Sequence, residues 1–126
     1  MPLVPRADVS VVVVTLNALP HLERCLESVS GYETVVVDHG STDGTLELVR
    51  DRFPEARLVE QENLGLAAGW NRGMREGSGR WFLILNADAW VVDDDRLVAA
   101  DALETALQVR QRGQRHHDDG HVRAGH

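Results

Sequence analysis

Residues 9–14 read VSVVVV and residues 34–38 read TVVVD, two β-branched runs with almost no polar alternation. A strand that faces water on one side alternates apolar and polar residues. An unbroken run instead describes a strand covered on both faces, as in a parallel sheet held between layers of helix. The expected fold class is therefore α/β, a mostly parallel sheet with flanking helices. The 126 residues give room for one such domain and exclude a second.

The segments between the runs carry helical spacing. Leu19, Leu22, Leu26 and Val29 recur at intervals of three and four, with Pro20 suited to a first turn and Gly31 to a C-terminal stop. Leu46, Val49 and Phe53 form a second stripe closed before Pro54, and residues 56–60 (ARLVE) read as a short third strand. After the loop QENLG, a helix is predicted over residues 66–76 and a fourth strand over residues 80–85. A last helix is predicted from about residue 94, with Leu97, Ala100, Leu103 and Leu107 on one face. Residues 1–109 are thus the expected folded unit. Residues 110–126 (RQRGQRHHDDGHVRAGH) hold one strongly apolar residue, Val122, and are expected to be a disordered polar tail. A metal site at His116, His117 and His121 is disfavoured because no predicted element holds those rings in place.

Composition excludes several function classes. The formal net charge of −7 argues against a nucleic-acid partner. All 13 basic residues are arginine, so a phosphate would be met by guanidinium groups, backbone amides or a metal ion, and P-loop chemistry, which needs a lysine, is excluded. The first strand runs into TLNALP with no glycine where a dinucleotide-binding loop would have three. Cys25 has no partner for an internal disulfide and falls on the apolar stripe, which fits a structural role in a reducing compartment. With neither a signal peptide nor a membrane-length apolar run, the expected location is the cytoplasm, with the inner face of the membrane as the alternative.

Ligands of parallel sheets bind beyond the carboxyl ends of the strands. Thr15 with Asn17, Asp38, and Asn86 with Asp88 all fall at those ends, so three polar clusters are expected to converge on one edge. Asp38 could accept hydrogen bonds from a nucleobase imide or a ribose hydroxyl, with Gly40 letting a ligand approach the backbone; equally, it could only cap the HGSTDG turn. Asp88 could be a hard oxygen ligand for Mg²⁺ or Mn²⁺ against a diphosphate, or a solvated strand-end carboxylate. Asn63 and Asn71 suggest hydrogen bonding, because asparagine is a poor helix former. Gly69 reads as a packing position. Arg72 and Arg75 are either phosphate contacts or solvated cations, and His39 is either drawn towards a ligand by Asp38 or faces water.

The stretches VSVVVVTLN, VVVDHGSTDGT, NLGLAAGWNRGM and LILNADAWV, in that order over residues 8–108, resemble the inverting family 2 glycosyltransferases, especially their bacterial rhamnosyltransferase-like branch. The resemblance implies a glycosyltransferase A-type fold, here confined to its donor-binding half, and a nucleotide-diphosphate sugar, dTDP-rhamnose or a UDP-sugar, as donor. It places Thr15 and Asn17 in the loop lining the nucleotide, and Asp38, with Gly40 and Ser41 of the same turn, at the base. Asn63, Gly65 and Asn71 correspond to the loop and helix that close over the donor. Asp88 matches the last carboxylate of the metal-binding motif, with Asn86 where many members carry its first aspartate, which implies Mg²⁺ or Mn²⁺. His39 stands where asparagine or aspartate is usual. The implied acceptor is a glycan of the cell envelope or a lipid-linked acceptor at the membrane periphery. Members continue into an acceptor region and a general base that this sequence does not display, so no residue is assigned as catalytic. Two functions follow as expectations: sugar transfer, alone or with a partner chain supplying the acceptor half, or nucleotide binding by an inactive remnant.

Overall fold

The computed structural model describes residues 5–92. The helix predicted from about residue 94 and the tail over 110–126 lie outside the described residues. Strands β1 (Val9–Thr15), β2 (Glu33–Asp38), β3 (Arg57–Glu60) and β4 (Trp81–Ile84) alternate with helices α1 (Leu19–Glu27), α2 (Thr45–Arg52) and α3 (Leu66–Glu76). The four strands form one sheet in the order β3-β2-β1-β4, with every pairing parallel. Thr15 pairs with Asp38, and Asp38 with Glu60, so the polar ends of β1, β2 and β3 are level.

The valine runs are buried from both sides, as their lack of alternation requires. On one face Val9, Val11, Val13 and Val36 pack with Leu22, Cys25 and Leu26 of α1, Val29 beyond it, and Val49 of α2. On the other, Val35, Val37 and Val59 cluster with Val14, and α3 lies over β1 and β2. That close approach depends on two glycines. A Cβ at Gly73 would come within 2.2 Å of Val12 Cγ1, and one at Gly69 within 2.7 Å of Val14 Cγ2, so α3 could not settle on the sheet with larger residues there.

The stripe on α2 is rotated from the one predicted. Thr45 and Val49 are buried and Leu48 joins the core, whereas Leu46 does not. Thr45 faces inward because its hydroxyl is used across the α1 interface, described below.

At the amino edge of the sheet, Glu33 ties three segments together. It accepts hydrogen bonds from the Ser10 hydroxyl and from the amide and hydroxyl of Ser78, at 2.9 and 3.0 Å, while the Ser10 hydroxyl accepts from the Gly79 amide at 2.8 Å. The α3–β4 connection is thereby fixed to β1 and β2, setting where β4 begins.

Candidate functional site

The carboxyl edge of the sheet is organised around Asp38, which is fully buried. One carboxylate oxygen accepts from the hydroxyls of Thr15 and Ser41, both at 2.6 Å. The other accepts from the amides of Gly40 at 3.0 Å and Ser41 at 2.9 Å. Burial alone would push this carboxyl's pKa up. The four hydrogen bonds to its charged form outweigh that and hold it below the ordinary carboxylate value. Of the two readings left open by the sequence, capping of the turn is what the geometry displays.

The turn held by Asp38 is stitched to the loop after β1. Asn17 adopts a left-handed backbone (φ 52°), its amide donates to the Ser41 hydroxyl at 2.8 Å, and its side-chain oxygen accepts from the Thr42 amide at 2.8 Å. Asparagine is among the few non-glycine residues that take this conformation readily. Ser41 is the hinge of the network, donating to Asp38 while accepting from Asn17.

Two residues that sequence reasoning missed extend the stitching. Asp43 accepts from the Leu19 amide at 3.2 Å at the start of α1 and from the amide and hydroxyl of Thr45 at the start of α2. The Thr45 hydroxyl also accepts from the Ala18 amide at 3.1 Å. The Thr45 hydroxyl bond is the main reason the Asp43 carboxyl is held below its ordinary pKa. The signal was present in STDGT, an acidic residue two positions before a predicted helix, and reads as a cap; that it caps two helices depends on the tertiary fold.

His39 is buried at 7% exposure rather than facing water. Its Nε2 lies 3.2 Å from the Gln61 side-chain amide, and 3.0 Å from where a Cβ on Gly69 would sit. The missing side chain at Gly69 thus accommodates Val14 and His39 together. Gln61 also donates its amide to the Asp38 carbonyl at 3.0 Å, which starts the following loop beside the turn. In that loop the Asn63 side chain accepts from the Gly65 amide at 3.1 Å, closing a local turn, and Leu64 projects at 71% exposure. Asn71 is exposed on α3 and makes no side-chain hydrogen bond among the described residues. Arg72 is paired with Glu76 at 3.0 Å, one turn along the same helix, which favours the structural reading of that cation.

Between the ends of β1 and β4 lies an open cleft of about 310 Å³, lined by Leu16, Asn17, Ala18, His21, Ala87 and Asp88, among others. The chain leaves β1 for β2 on one side, while β4 lies on the other, so the cleft sits where the strand order reverses. Asn86 and Asp88 are exposed, and neither side chain has a hydrogen-bond partner among the described residues. No group of three or more acidic, histidine or cysteine side chains capable of holding a metal occurs among the described residues. Among the described residues, Asp88 alone offers a hard, unshared carboxylate on the cleft. One such ligand suits a Mg²⁺ or Mn²⁺ whose other ligands are water and substrate phosphate, so the residues present fit that group.

The arrangement is that of a parallel α/β domain with an open cleft at a topological switch point. The sequence model described as Glycosyl transferase family 2 matches residues 10–118, and the chain belongs to that family. It is 34% identical over 95 residues to the Glycosyltransferase GlyA of Streptococcus pneumoniae serotype 4, an overlap of 68% of this chain and 14% of that protein. It is 32% identical over 102 residues to a PGL/p-HBAD biosynthesis glycosyltransferase of Mycobacterium bovis, an overlap of 74% of this chain and 40% of that protein. Among solved structures, S. aureus TarS 1-349 superposes with a TM-score of 0.61 at 22% identity, over 87% of this chain and 33% of that one. The same protein in complex with UDP-GlcNAc superposes with a TM-score of 0.58 at 23% identity, over 87% of this chain and 32% of that one. The likeness to TarS bears out the expected α/β, glycosyltransferase A-type fold. The chain spans well under half the length of these relatives.

Proposed function

We propose that this chain is the donor-binding part of a glycosyltransferase, taking a nucleotide-diphosphate sugar across the carboxyl edge of its sheet. The observation that carries the reading is the pairing of a pre-stitched turn with an unshared carboxylate. Thr15, Asn17, Asp38 and Ser41 lock the turn over residues 39–42 without a ligand, and Asp88 opens onto the adjoining cleft. Gly40 has a backbone φ of 94° and nothing within 4 Å of where a side chain would begin, so a planar base can approach the backbone there. The structures of TarS with UDP and with UDP-GlcNAc, and the family membership, support a uridine nucleotide as donor base, with dTDP-rhamnose as the alternative.

In this reading Asp88 would hold a divalent Mg²⁺ or Mn²⁺, with the Asn86 side chain within the same short turn. When bound, the metal would supply charge neutralisation for the diphosphate leaving group. The chain's own contribution is to hold the nucleotide and to present that carboxylate. In this reading the acceptor is a glycan or a lipid-linked acceptor, and the acceptor half comes from a further segment or a partner chain. Transfer from a cytosolic nucleotide sugar puts the reaction in the cytoplasm, against the inner face of the membrane when the acceptor is lipid-linked. No helix among the described residues is long and apolar enough to cross a membrane.

Thermal unfolding with and without Mn²⁺ plus UDP or dTDP tests the reading. A ligand that binds only the folded state at about a hundred times its dissociation constant adds about 2.7 kcal/mol, so a clear rise in Tm is expected. The Asp88→Ala variant should lose the metal-dependent part of that rise. A cooperative transition that no nucleotide moves would overturn the proposal in favour of a non-binding remnant.

A further inference from the structure

The Asp88 side chain has no hydrogen-bond partner among the described residues, yet the backbone on each side of it is anchored, and the polar and ring contacts that anchor it come from α1 and its C-cap Ser28. Leu85 extends the sheet by one bond, its amide donating to the Val12 carbonyl at 3.0 Å. The chain then turns, with the Ala89 amide donating to the Asn86 carbonyl at 2.9 Å. That same carbonyl accepts from the Cys25 thiol at 3.5 Å. Beyond Asp88, the Trp90 ring stacks under the Arg24 guanidinium, whose carbon lies 3.8 Å from the ring centre. The Val91 amide donates to the Ser28 hydroxyl at 3.0 Å, and that hydroxyl donates in turn to the Cys25 carbonyl at 2.7 Å. Ala87 and Val91 pack against the main core.

The first residues of α1 and those just before it, among them Ala18 and His21, line the same cleft as Asp88. One helix therefore carries a wall of the cleft at its start and, about two turns later, the clamp that fixes the segment bearing Asp88. We infer that Arg24 of α1, through the Trp90 ring it stacks on, and the C-cap residue Ser28, through the Val91 amide, are positioning residues for Asp88: they set its reach across the cleft towards a metal-bound diphosphate. The inference rests on the donor-binding reading above and adds residues that neither the motif nor the cleft lining identifies. Ser28 is central because its single hydroxyl both accepts from Val91 and fastens itself to the helix backbone. Without it, the Val91 amide loses its protein partner, and the far side of the turn through Asp88 is held only by the Trp90 stack on Arg24 and the packing of Val91 among the described residues.

The test is the affinity of the 126-residue chain for UDP, and for dTDP in parallel, measured by calorimetry with Mn²⁺ and again with a chelator. The informative quantity is the ratio of the two affinities. Loss of a residue that orients a metal ligand typically weakens metal binding by about 10–100-fold, so the ratio in Ser28→Ala and in Trp90→Ala should fall by about tenfold or more, towards that of Asp88→Ala. Ser28→Thr keeps the hydroxyl and should restore it. Loss of fold would instead weaken binding with and without metal alike and leave the ratio standing, a result that overturns the positioning role. So would a wild-type ratio kept in Ser28→Ala and Trp90→Ala but lost in Asp88→Ala. A wild-type chain that binds nucleotide with no Mn²⁺ enhancement removes the Asp88 metal role and this inference together, and one that binds no nucleotide removes the donor-binding reading itself.

Discussion

Asp38 should tolerate asparagine and not alanine, and the gap between the two variants measures what its carboxylate holds together. In Asp38→Ala four donors lose their acceptor, namely the hydroxyls of Thr15 and Ser41 and the amides of Gly40 and Ser41. Gly40 is exposed, so its amide can turn to water, but Thr15 is only 1% exposed and its hydroxyl cannot. An orphaned buried donor costs about 1–3 kcal/mol and each of the other bonds is worth roughly 0.5–1.5 kcal/mol net, for a total of about 4 kcal/mol. That is a large share of the roughly 5–15 kcal/mol that stabilises an ordinary domain. In Asp38→Asn the side-chain oxygen can face the two backbone amides while its NH₂ donates to the two hydroxyls, which rotate from donor to acceptor. All four contacts persist as weaker neutral bonds and the Thr15 hydroxyl hydrogen gives up its acceptor, partly offset because no charge is buried, for a loss of about 2 kcal/mol. At about 4–8 °C per kcal/mol for a domain of this size, the two variants should melt about 10 °C or more apart.

The same experiment carried into acid checks the sign. The folded pKa of Asp38 is depressed, so its contribution is fully present above the unfolded value of about 3.9 and is lost as pH falls through the folded value. Calorimetric melts should therefore show a gap between wild type and Asp38→Asn that is constant from about pH 7 to about pH 5 and closes below about pH 4. Glu33, held low by the Ser10 hydroxyl, and Glu76, held low by the Arg72 guanidinium, titrate in both proteins, so the difference isolates Asp38. Equal melting of the alanine and asparagine variants, or a gap that persists unchanged into acid, would refute the account.

Three further outcomes are expected. Gly73→Ala should lower stability by about 2 kcal/mol in chemical denaturation: a clash with the stiff, fully buried Val12 side chain at the upper end of about 1–3 kcal/mol outweighs the roughly 1 kcal/mol that alanine gains in a helix. Adding Val12→Ala should recover part of that loss in a double-mutant cycle. Asp88→Ala should leave the ligand-free stability within about 0.5 kcal/mol, because the exposed side chain has no hydrogen-bond partner to lose among the described residues, and urea titration reads this directly. Burial, with a smaller effect from the Asp88 charge, pushes the Cys25 thiol up to about 12. Its reaction with a disulfide reagent at about pH 8 should therefore be slow in the folded chain and fast in urea, with Asp88→Asn speeding the folded reaction slightly.

The elements of the fold were legible because their signals are local. Two unalternated valine runs can only be doubly covered strands, and the glycines at positions 69 and 73 mark the helix that approaches them closely. The helix over Leu66–Glu76 follows from its own spacing and from the glycines on either side. The α2 face was misjudged because a threonine, Thr45, is buried there, and hydrophobic periodicity has no term for a hydroxyl shared between two helix ends. The site was legible in part. Thr15, Asn17, Asp38, Gly40 and Ser41 do converge, since parallel register brings the ends of β1 and β2 level. What spacing could not supply was the partner of each group: that Asp38 is saturated by its own turn, that Gln61 and the gap at Gly69 bury His39, and that α1 clamps the segment around Asp88.

The two halves of the site are built to different degrees. On the β1–β2 side, the hydrogen bonds among Thr15, Asn17, Asp38 and Ser41 close on themselves, so the turn holds its shape before any ligand arrives. On the β4 side, the Asp88 side chain has no hydrogen-bond partner among the described residues and is placed through its chain neighbours, which contact α1, its C-cap and the core. A group that must meet a neutral base gains from being rigid in advance, because ordering it on binding would cost conformational entropy. A carboxylate that must meet a hydrated cation gains from being unshared, because any internal partner would have to be given up first. Helix α1 joins the two arrangements, since Asp43 and Thr45 fix its start to the stitched turn while Cys25 and Ser28 fix the Asp88 segment to its end. The separation between the stitched turn and the Asp88 carboxylate is therefore set largely by the length and register of one short helix, so that on the proposed donor-binding reading α1 is a spacer between the two ends of the nucleotide diphosphate as well as a packing element.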